Sequence, residues 1–531
     1  MVKFDREKIL TLVNEKLKGK IMLPEIQRRF VWKPRQILSL LDSLKRDFPV
    51  GSLLLWRTED EIETKVFDDQ NKEMIKRYVE IDYLLDGQQR LTSITHALTG
   101  EKIKILFNLE NEEFNLEKKS NKHNKNQISL KKLFIMDNDQ FRRTNGSELT
   151  ELLKSKGFSV NLPEFHKSLE KLRSVQDIFD KEIPLIIVEK NKDYNEVSEI
   201  FIRINSKGMS INKQDLAYAK ITLAIPGISK NKILPNINNL ERHGFFLNPG
   251  FLVKLIVALE TGQTKSMLSD KIWKEEFKRD LNEKWDSMIS SLNDSIDFFK
   301  KEMNIDYLEE LTTENLIVIL TYLFNKNKQI DQDSNLRSKI KKFIILAQLT
   351  SRYSGSSEST LDSDLKILAE HPPNEALNLL LKNIDEHYKA PEIQDLKTFS
   401  KNNPFFKVYY LIMKSKLGNR ETSKDVLSIM NKKEDHHLFP KKLLKKKGYD
   451  EKLINDISNL IFISKKRNLN ISAKDPMEYF NKLLKSEGKT FFEKNLIPLD
   501  ENLWQIDKYE LFLKKRREKI FEEFNIYLKN L

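Results

Sequence analysis

The pattern of apolar residues changes near residue 210, and this change limits the folds that the chain can adopt. Before it, short strand-like runs alternate with helical segments, and after it amphipathic helical segments follow one another almost without interruption. A chain of 531 residues also exceeds the usual size of one domain. We therefore predict an α+β multidomain protein with a mixed α/β domain over residues 1–215, a helical connecting region over 216–400 and a mainly α-helical domain over 401–531.

The charge balance and the lack of cysteine narrow the classes of function. Lys and Arg number 92 against 79 Asp and Glu, so the formal net charge is +13. This excess favours polyanionic partners, because neutralised phosphates release counterions, although a generally lysine-rich composition would give the same excess. Without cysteine, disulfides, cysteine-ligated zinc and cysteine nucleophiles are excluded. The sequence has no signal-peptide pattern and no apolar run of roughly 20 residues, so we expect a cytoplasmic protein without membrane contact.

Apolar runs separated by turn residues predict the elements of the N-terminal part. Pro34 begins a helical pattern that ends at residues 48–51. Gly100 is the expected C-terminal cap of a helix that starts near Arg90. Residues 110–165 are polar and weakly patterned, and we interpret them as a variable insertion. Strands are predicted at residues 52–56, 78–85, 102–108 and 183–188.

A polar turn between a predicted strand and a predicted helix is the first candidate for ligand binding. It has the sequence Asp86-Gly87-Gln88-Gln89-Arg90. Glycine at this turn allows an unusual backbone angle, and the helix that follows presents free N–H groups suited to phosphate. Arg28, in a polar and aromatic segment, and Arg203, near the end of a later helix, could add forked donors. An ordinary turn and helix start would use the same residue types.

Three segments carry an ordered set of residues: Pro24, Gln27, Arg28, Phe30, Val31 and Trp32, then Pro49, Val50 and Gly51 with 86–93, and finally Phe201, Arg203, Ile204, Asn205 and Gly208. Together these segments resemble the DUF262 family, a ParB/sulfiredoxin-like domain. The resemblance covers roughly residues 10–220 apart from the 110–165 segment, and it implies nucleotide binding, with NTP hydrolysis or modified-base sensing in restriction-type members. It assigns the nucleotide pocket to Asp86, Gly87, Gln88, Gln89 and Arg90, with Gln27, Arg28 and Arg203 in support. The chain has no G-x-x-x-x-G-K-[ST] loop, so an NTPase here is not of the P-loop kind.

The C-terminal part contains an ordered set of histidine and asparagine residues. His436 and His437 are adjacent, Pro440 follows them, and Asn459 and Asn468 come later in the chain. Phosphodiester hydrolysis needs a base to activate water and a metal ion to hold the phosphate, and a histidine and a His–Asn ligand pair suit these tasks. A histidine pair alone is more typical of a surface, whereas the ordered set favours a nuclease site. Several cationic residues nearby could contact a nucleic-acid backbone: Lys441, Lys442, Lys445, Lys465, Lys466 and Arg467.

This set resembles the HNH/His-Me finger nucleases, specifically their DUF1524 branch, whose motif is (D/E/H)-H-(I/L)-x-P followed by N-L and a later N. The resemblance covers roughly residues 400–531 and implies a ββα-metal nuclease domain. It makes His437 the general base and Asn459 the residue that fixes the loop carrying it. It makes His436 and Asn468 the metal ligands. Because His436 stands where an acidic residue is common, the ion stays open between Mg²⁺, our first choice, and Mn²⁺ or Ni²⁺.

Both resemblances on one chain match the GmrSD-like type IV restriction proteins, which recognise modified foreign DNA and cut it. This match implies an anti-phage endonuclease for modified double-stranded phage DNA, in which nucleoside triphosphate binding and hydrolysis gate metal-dependent cleavage. Two alternatives remain open: a DNA-binding regulator whose C-terminal finger has lost catalysis, and a toxin-like nuclease that acts on host nucleic acid. The sequence leaves open which DNA modification is recognised, which NTP is used and whether the protein forms a homo-oligomer.

Overall fold

The computed structural model of the chain divides into two compact units. The first spans Met1–Leu234 and the second spans Pro235–Leu531. The three-part division drawn from the sequence stays a prediction. The residues that the structure describes are 2–24, 30–59, 64–65, 78–117, 124–138, 147–189, 196–197, 200, 213–269, 275–354, 357–385, 392–393, 396, 403–417, 437–461 and 475–531.

Two sheets organise the described part of the first unit. Their strands are β1 (Val2–Lys8), β2 (Ile21–Pro24), β3 (Leu53–Thr58), β4 (Thr64–Lys65), β5 (Ile81–Asp86), β6 (Ile105–Asn108), β7 (Phe114–Leu116), β8 (Gln127–Ser129) and β9 (Glu182–Val188). The larger sheet has the order β1-β9-β3-β5-β2-β4 and the smaller one β7-β6-β8. The central strand β3 runs antiparallel to β5 and parallel to β9. The four predicted strands are confirmed as β3, β5, β6 and β9, with ends displaced by a few residues.

Strand β3 is buried on both faces, which explains its unbroken apolar sequence. Leu53 and Leu55 belong to one hydrophobic cluster, and Leu54 and Trp56 belong to another. Successive side chains of a strand point to opposite faces, so the two clusters lie on the two sides of the sheet. A strand covered on both sides loses the apolar–polar alternation of a half-exposed one. The sheet is therefore the rigid support from which the turn after β5 projects.

Helices flank the sheet of the first unit. They are α1 (Ile9–Lys18), α2 (Pro34–Lys45), α3 (Gln88–Thr99), α4 (Leu130–Asn138), α5 (Ser147–Ser155), α6 (Pro163–Asp180) and α7 (Lys213–Ala224). Pro34 occupies the first helical position of α2, as predicted, since its fixed φ suits a helix start. Gly100 caps α3 with a φ of +66°, also as predicted. Helix α3 begins two residues before the expected Arg90, directly after Gly87.

The described part of the segment 110–165 forms regular elements. Its described residues form β7, β8, α4, α5 and the start of α6. Ile128, Leu133 and Leu153 are buried in the same hydrophobic cluster as the face of the large sheet that carries Leu53. That this segment is a variable insertion stays a prediction. Each short element contributes only a few apolar residues, so no window of the sequence shows a clear period.

The described part of the second unit is almost entirely helical, as the pattern after residue 210 predicts. Helix α8 (Leu234–Arg242) crosses the boundary between the units. The helices that follow are α9 (Pro249–Thr261), α10 (Glu275–Met303), α11 (Asn315–Lys326), α12 (Ser334–Leu349), α13 (Ser357–Glu370), α14 (Pro373–Asp385), α15 (Pro404–Leu417), α16 (Lys441–Lys446), α17 (Glu451–Ile454), α18 (Pro476–Lys494) and α19 (Tyr509–Lys529). Local signals define several of them. In α9, Asn248 accepts a hydrogen bond from the Gly250 N–H, Pro249 follows the cap, and Gly262 ends the helix in the left-handed region.

Residues of the C-terminal part form a hydrophobic core that is rich in aromatic side chains. Phe439 packs against Tyr509 and Phe512, with ring centroids 5.0 and 4.8 Å apart. Phe480 of α18 and Trp504 complete the centre of the cluster, at 5.3 Å from each other. The segment that follows His437 is thus fixed by Phe439, which enters the core directly.

The described residues contain no helix that is both long enough and apolar enough to cross a membrane.

Candidate functional site

The turn that follows β5 has the strand-turn-helix form that the sequence predicted. Strand β5 ends at Asp86, and helix α3 begins at Gln88. Gly87 lies between them with a φ of +93°, in the left-handed region that favours glycine. A Cβ at this position would lie 2.2 Å from Cδ2 of Leu53. Glycine is therefore required here both by the backbone angle and by the close approach of β3.

Gly87→Ala is expected to destabilise the protein by about 2–4 kcal/mol, since it adds left-handed strain and a clash with Leu53. Chemical denaturation monitored by circular dichroism measures the loss. Gly157→Ala is the matched control, because Gly157 also has a positive φ of +86° but a Cβ added there would meet only open space within 4 Å. The control should lose about 1–2 kcal/mol from strain alone. Equal losses in both variants would contradict the role of the Leu53 contact.

Gln89 connects this turn to the aromatic segment before α2. Its side-chain Oε1 accepts hydrogen bonds from the backbone N–H of Val31 at 2.9 Å and of Trp32 at 3.3 Å. Gln89 is almost fully buried. Since Val31 and Trp32 belong to the motif that also contains Gln27 and Arg28, this contact brings two of the sequence segments together.

Arg90 connects the turn to the Pro49-Val50-Gly51 segment. Its Nη1 donates to the Val50 carbonyl oxygen at 2.7 Å, and its Nη2 contacts Asp86 Oδ2 at 3.3 Å. Gly51 permits this approach, because a Cβ there would lie 2.5 Å from Nη1 of Arg90. Gln89 and Arg90, which the sequence assigns to a nucleotide pocket, thus connect the β5–α3 turn to two neighbouring segments of the chain.

Two groups of the turn remain with capacity for a ligand. The Asp86 side chain is 43% exposed despite its contact with Arg90. The Gln88 side-chain oxygen is buried and has no hydrogen-bond partner in the part of the chain that the structure describes. A buried acceptor without a partner costs free energy, so its presence calls for an explanation. The other predicted members, Gln27, Arg28 and Arg203, lie outside the described residues.

The His437 segment pairs with the residues that contain Asn459. His437 and Leu460 form an isolated antiparallel bridge, and the Leu438 N–H donates to the Asn459 carbonyl oxygen at 2.7 Å. Tyr479 of α18 donates its hydroxyl to the Leu438 carbonyl oxygen. These contacts bring together two parts of the predicted motif, His437 and Asn459, that are distant in sequence.

The hydrogen bond of His437 determines its tautomer. Nε2 of His437 lies 3.2 Å from Oδ1 of Asn455, and Nζ of Lys441 lies 3.4 Å from the same oxygen. A lysine ammonium can only donate, so the atom that faces both groups is an acceptor and Nε2 must carry a proton. In this tautomer Nδ1 holds the lone pair, which is the form that can accept a proton. Asn455 was not among the sequence candidates, because no motif marks its position.

Asn459 positions the loop rather than presenting its side chain to solvent. Its Oδ1 accepts from the Phe439 N–H at 2.8 Å, and its Nδ2 donates to the Ile454 carbonyl oxygen at 3.0 Å and to that of Phe439 at 3.3 Å. The residue is fully buried. Its contacts are with backbone groups on both sides of the His437 loop. The loop-fixing role of Asn459 and its grouping with the catalytic residues both stay predictions.

Two arginines of α19 contact the 456–460 segment that pairs with the His437 loop, and sequence reasoning missed both. Arg516 donates to the carbonyl oxygens of Ser458 and Leu460, at 2.8 and 2.6 Å. Arg517 forms an ion pair with Asp456. Burial raises the pKa of Asp456, while the Arg517 guanidinium lowers it. The arginines stand in a run of charged residues that is typical of a solvated helix face, so only the three-dimensional contacts identify them.

The predicted metal ligands fall beyond the part of the chain that the structure describes. His436 and Asn468 lie outside the described residues, as do Lys465, Lys466 and Arg467. Within the described ranges there is no group of three His, Asp or Glu side chains that could hold a metal ion. A metal site beside His437 therefore depends on His436, Asn468 or other residues beyond those ranges.

The lysines of α16 lie directly after the His437 segment. Lys442 is exposed, and Lys445 forms a 2.7 Å ion pair with Glu451. Lys441 contacts Glu451 more loosely, at 3.7 Å, in addition to Asn455. The hydrogen bond from Lys445 lowers the pKa of Glu451. Glu451 thus offsets part of the positive charge that the sequence alone attributes to this surface.

Comparisons with known proteins give two similarities. Residues 9–222 match the family model described as the N-terminal domain of the GmrSD restriction endonuclease. An uncharacterized protein of Methanocaldococcus jannaschii is 25% identical to this chain over 524 residues, which cover 90% of this chain and 87% of the archaeal protein. The family match includes the β5–α3 turn, and the archaeal similarity extends over nearly the whole length of both chains.

Proposed function

We propose that this protein is a DNA endonuclease in which His437 acts as general base under the control of a nucleotide-binding N-terminal unit. The observation that carries the nuclease proposal is the fixed tautomer of His437, whose Nε2 donates to Asn455 and whose Nδ1 holds the lone pair. The similarity of residues 9–222 to the N-terminal domain of a restriction endonuclease supports DNA as the substrate. The finer assignment is an HNH-type domain after a ParB-like domain.

The reaction needs few groups from the protein. Nδ1 of His437 takes a proton from a water molecule, whose oxygen attacks the scissile phosphorus. The bond from phosphorus to the leaving oxygen then breaks, and the leaving oxygen takes a proton from solvent. Asn455 holds the neutral imidazole in the required tautomer before the proton transfer, and Asn459 keeps the loop in place. Exposed lysines of α16, such as Lys442, would contact the phosphate backbone.

A divalent ion would be held by His436 and Asn468, with Mg²⁺ our first choice and Mn²⁺ or Ni²⁺ as alternatives. One imidazole and one amide oxygen leave several positions of a six-coordinate ion for water and phosphate, so this donor set fits the expected ion. When bound, the ion supplies charge stabilisation at the phosphate and the leaving oxygen.

Nucleotide binding is proposed at the β5–α3 turn. The start of α3 presents backbone N–H groups, which suit phosphate oxygens. The unpartnered Gln88 oxygen could accept a hydrogen bond from the ligand. Since Gln89 and Arg90 already bind the neighbouring loops, a nucleoside triphosphate at this turn would act on three segments at once. This arrangement supports a gating role for the nucleotide. The similarity to a restriction endonuclease supports an anti-phage defence, which we propose is directed at modified DNA.

Purified full-length protein incubated with DNA tests the proposal. Plasmid, hydroxymethylated, glucosylated and phosphorothioated DNA would be offered with Mg²⁺ or with EDTA, and with or without each NTP. We expect cleavage that requires the divalent ion, prefers a modified DNA and changes when an NTP is present. Binding of DNA without cleavage under any metal ion would overturn the nuclease function and favour a DNA-binding regulator.

Asn455→Leu is expected to lower kcat for DNA cleavage by about ten- to a hundredfold, because the base loses the acceptor that fixes its tautomer. The KM for DNA should change little. Steady-state cleavage of a fluorescent duplex measures both constants. Asn481→Leu serves as the matched control, since the Asn481 side chain donates to the Met477 carbonyl oxygen within its own helix, α18. An unchanged kcat in Asn455→Leu would show that the tautomer is set in another way.

A further inference from the structure

Helix α19 contacts residues 456–460, the segment that pairs with the His437 segment, through two consecutive arginines. We infer that Arg516 and Arg517 are positioning residues, which set the place of the His437 imidazole in the active site. This inference depends on the nuclease function proposed above. The two arginines add helix α19 to the candidate site, although no residue of the sequence motif lies on that helix.

Within the described residues, the hydrogen bonds of Arg516 go to backbone carbonyl groups. Arg516 is fully buried. Its Nη1 donates to the carbonyl oxygens of Ser458 and Leu460, which flank Asn459, and its Nη2 donates to that of Asn495 at 3.0 Å. A buried cation costs more free energy than an apolar side chain of similar volume, so a cation used for packing alone would be an unfavourable choice. The forked guanidinium instead fixes the direction of two carbonyl groups.

The two carbonyl groups lead directly to the base. Leu460 forms the bridge with His437, and the carbonyl of the intervening Asn459 accepts from the Leu438 N–H. Any displacement of residues 458–460 would therefore displace the imidazole. A misplacement of about 1 Å in a catalytic group can cost about a hundredfold in rate.

Arg517 fixes the beginning of the same loop. It pairs with the buried carboxylate of Asp456. The other carboxylate oxygen of Asp456 accepts from the Ser458 N–H at 2.8 Å. The two arginines thus hold residues 456–460 at both ends, one through a side chain and the other through carbonyl groups.

Helix α19 is anchored at its far end, so it can serve as a fixed support. It has 21 residues, or about 30 Å of length. Glu523 pairs with Lys416 of α15 at 2.5 Å, and the Leu531 carbonyl oxygen accepts from Ser338 Oγ of α12 at 2.8 Å. The helices of the second unit therefore hold the 456–460 segment, and through it the His437 loop, in addition to the local contacts.

Lysine substitutions in the full-length protein test the inference. Arg516→Lys and Arg517→Lys each keep the positive charge but lose the forked geometry. We expect kcat for DNA cleavage to fall by about tenfold or more in each, with KM within about twofold of the wild type. Circular dichroism and Tm establish that each variant is folded at the assay temperature. Lys514→Met, at an exposed position of the same helix, is the matched control and should keep both constants.

The outcomes separate the inference from the proposed function. If the wild type cleaves and the folded lysine variants keep its kcat, the positioning role is wrong while the nuclease stands. A lower Tm with an unchanged kcat per folded molecule would assign the arginines to stability alone. If neither variant folds, the arginines serve folding itself and the inference is rejected. Failure of the wild type to cleave any DNA overturns the proposed function and, with it, the inference.

Discussion

His437→Ala is expected to lower kcat for DNA cleavage by about three orders of magnitude, because the variant loses the general base. The affinity for DNA should remain, since the backbone pairing of Leu438 with Asn459 does not involve the imidazole. The substitution removes a side chain that is 7% exposed, and Phe439 still anchors the segment in the aromatic core. Single-turnover cleavage of a labelled duplex measures the chemical step, and fluorescence anisotropy measures binding.

An exposed histidine provides the control for this variant. His166 lies on α6 in the first unit, and His166→Ala should cleave DNA at the wild-type rate. If His437→Ala also cleaved at that rate, His437 would not be the base and the nuclease site would have to lie elsewhere. If it lost DNA binding together with cleavage, the residue would belong to the binding surface.

In the candidate nuclease motif, only the residues that stand at a recognisable spacing could be predicted from the sequence. His437 and Asn459 stand in a recognisable order, and the structure places their segments side by side. Asn455 and Arg516 have no such order, because their partners are a ring nitrogen and backbone carbonyl groups that only the folded chain brings near. A buried arginine in a run of charged helical residues looks, in sequence, like part of a solvated face.

The N-terminal turn shows the same limit. The strand, the turn at Gly87 and the helix could be predicted because each of these elements has a local sequence signal. The parts played by Gln89 and Arg90 could not, because their partners are the backbone of Val31 and Val50, many residues away. A polar residue assigned to a ligand pocket from its motif can therefore first serve to assemble that pocket.

The second unit contains a buried ion pair, and its disruption should have the largest effect on stability. Lys414 contacts both carboxylate oxygens of Glu310, at 3.0 and 3.1 Å, and Asp306 at 2.7 Å. Lys414→Met leaves the fully buried Glu310 without its cation, which is expected to cost about 3–5 kcal/mol near pH 8. Chemical denaturation and Tm at several pH values measure the loss.

The loss should depend on pH in a defined direction. Burial raises the pKa of Glu310 from 4.5 to about 7, although Lys414 lowers it. A carboxyl group whose folded pKa is raised binds its proton more tightly in the folded state, so its contribution to stability falls as pH rises from 4.5 to about 7. Without Lys414 the pKa of Glu310 rises further, and stability should continue to fall above pH 7. The penalty of Lys414→Met is therefore expected to be small near pH 5 and largest near pH 8.

Lys416→Met is the matched control, because Lys416 lies near Lys414 on the same helix and pairs with Glu523 at a partly exposed position. A partly exposed pair is worth about 0–1 kcal/mol, and its loss should show little dependence on pH in this range. Equal, pH-independent losses in both variants would mean that Glu310 finds another cation once Lys414 is removed. Lys407 is a candidate, since its buried ammonium group donates to the Leu311 carbonyl oxygen and burial lowers its pKa while the charge of Glu310 raises it. The double variant Lys407→Met/Lys414→Met would then restore the pH-dependent loss.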